Sequence, residues 1–111
     1  MYYKDERRKF DRFEVDFTAE IKPVGRVEND FALCCDVSPE GAGLLTDQEL
    51  TPDTELEILL GIPDGHAPLR SFGRVIWSQK VQEDKWRSGV EFKSVDFMGI
   101  RRVFAAARKQ D

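Results

Sequence analysis

The sequence predicts a mainly β fold, a small six-stranded antiparallel barrel followed by one C-terminal helix. Three observations predict it. From Phe13 to Lys22 apolar and polar residues alternate almost without a break, which is the period of a strand with one buried face. Further strand-like runs recur at roughly ten-residue spacing, divided by Gly, Pro, Asn and Asp, as in small barrels. Near residue 96 the apolar spacing then changes to that of a helix. With 111 residues, 41% of them apolar and 34% charged, the chain has material for one core and one domain.

The first strand, 13–22, turns Phe13, Val15, Phe17, Ala19 and Ile21 to one side and Glu14, Asp16, Thr18, Glu20 and Lys22 to the other. Pro23, Gly25 and Asn29 mark the turn that follows. In the second strand, 31–37, Phe31, Leu33, Cys35 and Val37 are expected inward; Ala32, Cys34, Asp36 and Ser38 are expected outward. Gly41 to Thr46 reads as a short third strand, and 55–62 as a fourth with Leu56, Ile58, Leu60 and Ile62 inward. The loop from Gly61 to Pro68 reverses the chain. Strands 69–79 and 85–94 pair through a turn near Val81 to Asp84, expected to set Trp77 against Val90 and Val75 against Phe92, with Trp77 and Phe92 in the core. Trp86 opens the last strand as a ligand wall or a satellite core. In the final segment Phe97, Ile100, Val103, Phe104 and Ala107 share one helical face, with Asp96 as N-cap and Arg101, Arg102, Arg108 and Lys109 elsewhere. The expected organisation is a tail over 1–12, a barrel over 13–95 and a helix over 96–111.

Composition narrows the function. The adjacent Cys34 and Cys35 cannot form an ordinary structural disulfide, and the lone His66 cannot complete a metal site with them, so both are expected as reduced, strand-buried thiols and His66 as exposed. With that single His, and with no phosphate-binding glycine loop, an enzyme is not expected. No apolar stretch follows a basic start, so neither a signal peptide nor membrane insertion is expected, and a cytoplasmic location is the default reading. The net charge of −4 is unevenly spread: residues 1–12 and 96–111 each carry +2, which leaves −8 for the middle. An acidic body with two basic ends repels a long polyanion, so no nucleic-acid partner is expected. The expected anion is small and locally gripped.

Hairpin geometry joins two distant stretches. If strands 13–22 and 31–37 pair about a loop near residue 26, Arg12 falls opposite 38–40, beside Asp36 and Ser38 on a solvent-facing surface. Arg7, Arg8 and Lys9 lie just upstream. Guanidinium forks clamp phosphate or the O6/N7 edge of guanine and stack on its face, while a carboxylate accepts from ring N–H groups. The patch therefore suits a phosphorylated purine.

Arg8-Lys9-Phe10-Asp11-Arg12 fits an RxxxR motif, and Asp36-Val37-Ser38-Pro39-Glu40-Gly41 fits DxSxxG. RxxxR alone is common, and Arg70-Ser71-Phe72-Gly73-Arg74 matches it inside a strand. Both motifs in this order, flanking one alternating strand, resemble the PilZ domain family, as do Gly73 to Trp77 and Gly89 to Phe92 in the later strands. The resemblance implies a six-stranded barrel with a C-terminal helix, binding of cyclic di-GMP as ligand and no further cofactor. It implies that Arg8 and Arg12 contact guanine and phosphate, that Asp36 and Ser38 hold the guanine edge and the phosphate side, and that Gly41 lets the turn pass close. In similar proteins the residue before RxxxR, here Arg7, influences whether one ligand or a stacked pair is bound, and two per chain are expected. The function so implied is that of a stand-alone effector relaying occupancy to a downstream protein; the alternative is an adaptor that binds protein without nucleotide. Residues 1 to about 11, rich in like charge, are expected to be mobile until the ligand fastens them.

Overall fold

The computed structural model describes residues 12–27, 29–93 and 97–110. Six strands, β1 (Phe13–Pro23), β2 (Asp30–Ser38), β3 (Gly41–Thr46), β4 (Glu55–Gly61), β5 (Leu69–Gln82) and β6 (Lys85–Phe92), precede one helix, α1 (Phe97–Gln110). The strands close into an antiparallel barrel in the order β1-β2-β3-β6-β5-β4, with β4 pairing back onto β1. Closure pairs each strand on both sides and so satisfies its backbone groups.

The alternation in β1 and β4 produces the core directly. Phe17 and Ile21 from β1 and Leu56, Ile58 and Leu60 from β4 are almost wholly removed from solvent and meet Val75 of β5. Each such side chain contributes about 1.5–3 kcal/mol on burial. One end of the barrel is covered by α1, which buries Val103, Ala106 and Ala107 and sets the Phe104 ring against that of Phe13 at 4.9 Å. Arg102 fastens the helix: it donates to both carboxylate oxygens of Asp64 at 2.7 and 3.0 Å and to the Ala67 carbonyl at 2.7 Å. Asp64 lies in the loop between β4 and β5. No described helix is long and apolar enough to cross a membrane.

The expected faces of β2 are reversed over its first half. Phe31 and Leu33 are 78% and 42% exposed, while Ala32 and Cys34 point inward. Residues directly opposite in an antiparallel pair share a face. Ala32 sits opposite Ala19 and Cys34 opposite Phe17, whereas Phe31 sits opposite Glu20. β1 therefore dictates the register, and the inward residues of β2 that face Phe17 and Ala19 are the small Cys34 and Ala32. An irregularity in the β2–β3 ladder between Cys34 and Asp36 then lets Val37 return to the interior. Cys34 is thus buried rather than outward, and Cys35 is half-buried.

Trp77 is likewise not a core residue. Val75 pairs with Val90, Phe92 pairs with Gly73, and a bulge between Val75 and Trp77 sets Trp77 opposite Gly89. The extra residue, Ile76, breaks the alternation and leaves both it and Trp77 about half exposed on the outer face, at 45% and 44%. Phe92 is partly buried against the core, Trp86 is half-buried, and His66 is exposed. The tail with Arg7 and Arg8, and the Asp96 cap, lie outside the described residues.

Candidate functional site

The hairpin of β1 and β2 brings Arg12 and Asp36 together. Phe13 pairs with Val37 and Glu14 with Asp36, so Arg12 leaves the start of β1 alongside the end of β2. Its Nη1 donates to Asp36 Oδ1 at 2.6 Å across 24 residues of sequence. From the other side Arg87 of β6 donates through Nη2 to Asp36 Oδ2 at 2.7 Å. One carboxylate, 8% exposed, therefore holds two guanidinium groups that both remain partly open to solvent.

The outer surface around this trio forms a groove of about 490 Å³ whose walls include Arg12, Asp36, Gly41, Ile76, Trp77 and Arg87. That volume is in the usual range for small-molecule sites. The Trp77 indole packs over Gly89 of β6, where a Cβ would collide with it, so the bare backbone there makes room for the ring. Glycine is needed at Gly41 for a similar reason: a Cβ there would run into the Val90 carbonyl of β6. The turn beside it is tied down by Phe92 N–H donating to the Glu40 carbonyl at 2.8 Å. Glu40 and Glu91 stand on the rim as acidic neighbours, with Glu91 turned toward Arg74 at 3.4 Å.

Ser38 is placed differently from Asp36. It is buried, not solvent-facing; its hydroxyl accepts from the Glu40 N–H at 3.2 Å, and it borders the small cavity under α1 with Val37, Val103 and Phe104. The structure thus joins Arg12, Asp36 and Gly41 in one groove and sets Ser38 behind the turn that frames it. Beneath the groove the Cys34 thiol donates to the Asp36 carbonyl at 3.3 Å. Burial, with the Asp36 charge nearby, pushes that thiol up to about 12. Burial also raises Cys35, partly offset by Arg87. Neither thiol has the depressed value of a nucleophile.

Arg87 and Trp77 belong to the groove but to neither motif. Trp77 was hidden by the β5 bulge, which no local pattern announces. Arg87 offered one signal, its position two residues before Gly89 on a strand facing β3. A second cleft, about 350 Å³, opens between the β1–β2 turn and the segment after β3, where Asp30, Asp47 and Glu49 outnumber Arg26. Its carboxylates disfavour a phosphate.

A model of the PilZ domain family matches residues 6–104. No curated protein sequence matches the chain. Among solved structures, the PilZ domain of YcgR from Escherichia coli with c-di-GMP is 14% identical, with 94% of each chain covered and a TM-score of 0.74. The Bacillus subtilis inhibitor of motility, MotI/DgrA, is 16% identical with a TM-score of 0.73, over 93% of this chain and 51% of that one. The K. pneumonia MrkH-c-di-GMP complex is 18% identical with a TM-score of 0.67, again over 93% and 51%. The chain thus spans about half the length of the last two proteins, and at these identities the likeness is one of fold.

Proposed function

This chain belongs to the PilZ domain family, and from that premise we propose that it binds cyclic di-GMP in the groove over Asp36 and relays occupancy to a downstream protein as a stand-alone cytoplasmic effector. The observation that carries the reading is the meeting of the two motifs: Arg12, which ends RxxxR, and Asp36, which begins DxSxxG, are joined at 2.6 Å on the wall of that groove.

The chemistry of the groove fits a guanine nucleotide. Arg12 supplies a fork for a phosphate or for the O6/N7 edge of guanine, and Trp77 supplies a flat face on which a base stacks. Cyclic di-GMP carries two phosphate charges. The described cations, Arg12 and Arg87, share Asp36 and face Glu40 and Glu91 on the rim, so the balance favours an anion only when more positive charge arrives. Arg8 and Arg7, just upstream of Arg12, supply it in this reading, and the segment that carries them closes over the ligand. That closure is the change of surface a partner reads. Arg7 further favours a second, stacked ligand.

Calorimetry with the folded chain tests the proposal. Cyclic di-GMP should bind in preference to GMP and GTP. Each guanidinium contact is worth about 1.5–3 kcal/mol as a charge-assisted bond, so Arg8→Ala or Arg12→Ala should weaken binding about tenfold or more with little change in melting temperature. Absence of heat at excess ligand would transfer the function to the adaptor reading.

A further inference from the structure

We infer that Arg87 of β6 grips the ligand directly, as the counterpart of Arg12 on the opposite side of Asp36, and that Asp36 is the brace that holds the pair in position. The inference rests on the cyclic di-GMP reading above and adds to it a residue that neither motif contains.

The geometry is specific. Each Asp36 carboxylate oxygen takes one guanidinium, Oδ1 from Arg12 at 2.6 Å and Oδ2 from Arg87 at 2.7 Å. Asp36 itself is nearly buried, while the two arginine side chains keep 35% and 47% of their surface. One guanidinium already neutralises a single nearly buried carboxylate, so stability gives a poor reason to converge two long cations on it. Preorganisation gives a better one. A flexible arginine loses rotamer freedom when a ligand fixes it, and a brace removes that cost before the ligand arrives. A guanidinium has five N–H donors, and each of these two directs one to Asp36, which leaves most of each fork for an incoming phosphate or guanine edge.

β3 makes room for the brace. Gly43 lies opposite Asp36, and a Cβ on Gly43 would stand 2.5 Å from Oδ2, so the bare backbone there is what allows the carboxylate to lie flat beneath both forks. With Ser38 buried behind the turn and both Asp36 oxygens occupied by arginine, the groove's donors for an anion are the two guanidiniums, with the Trp77 ring beside them and Glu40 and Glu91 on the rim.

Titration with cyclic di-GMP at several salt concentrations tests this on the wild type, Arg87→Ala, Arg87→Lys, Asp36→Asn and the Asp36→Asn/Arg87→Ala double variant. Arg87→Ala should bind about tenfold more weakly, with the slope of log Kd against log salt reduced by about one. Arg87→Lys keeps the charge and the fold but loses the fork, and should bind at least about fivefold more weakly. The double variant should lose less than the two single losses combined, because brace and braced residue act as a unit. A purely structural role would move the melting temperature and leave the salt slope alone. Wild-type affinity within about twofold for both Arg87 variants, in a wild type that does bind, would overturn the inference and leave the receptor reading intact. A wild type that binds nothing would remove both. If Arg87→Ala does not fold, the Arg87→Lys affinity decides by the same criterion.

Discussion

At the scale of single residues, the site depends on how one acidic side chain is surrounded. Asp36 is stabilised by Arg12 and Arg87, and removing either leaves it one partner, whereas crowding it from below disturbs both bonds at once. Gly43→Ala should therefore weaken cyclic di-GMP binding: the new methyl would face Asp36 Oδ2 at 2.5 Å, and affinity should fall by about tenfold while the barrel still melts cooperatively. Paired titration and thermal melts check this. Cys34 gives a pH prediction. Its thiol is raised from 9.0 to about 12 in the folded chain, so the protonated form contributes stability in full below pH 9 and loses it as pH rises through that window. Denaturant melts of the wild type should show an alkaline decline that is shallower in Cys34→Ala, and thiol reagents should reach Cys35 well before Cys34. An equal alkaline decline in the two proteins would refute the account of Cys34.

At the scale of elements, two ladder irregularities decide what the groove contains, and one helix covers an end of the barrel. The alternation of β1 and β4 made their inward faces readable from sequence, and the hairpin argument located Arg12 beside Asp36. Elsewhere alternation misled for a physical reason. β2 is apolar on both sides, so its face is chosen by its partner, and the inward residues of β1, Phe17 and Ala19, take Cys34 and Ala32 opposite them. In β5 the extra residue at Ile76 moves Trp77 from the interior to the groove wall, and the energy of a bulge is settled across the ladder, not within a local stretch. Arg87 escaped notice because its partner Asp36 is 51 residues away. For α1, the Arg102–Asp64 contact makes a prediction in acid. Hydrogen bonding from Arg102 holds the Asp64 carboxyl well below its ordinary 3.8, so the contact contributes stability above that value and loses it progressively as pH falls further. Amides of α1 should lose exchange protection on acidification before those of β4, and Arg102→Ala should remove the difference. Simultaneous loss in helix and barrel would show that the contact is not what fastens α1.

At the scale of the whole molecule, a closed barrel presents its outer wall, its helix-covered end and its opposite end as three distinct surfaces. The outer wall carries Arg12, Asp36, Trp77 and Arg87 in one groove, and the opposite end carries Asp30, Asp47 and Glu49. Of these, the outer wall offers a dinucleotide two guanidinium forks and a ring, whereas the opposite end offers mostly carboxylates. The measurement that tests this most directly is an amide chemical-shift map of the folded chain titrated with cyclic di-GMP. Saturable shifts should cluster at Arg12, Asp36, Gly41, Arg87 and Gly89 and include the Trp77 indole N–H, with residues 47–51 unmoved. Shifts centred on Asp30, Asp47 and Glu49, or a spectrum unchanged at excess ligand, would contradict the account.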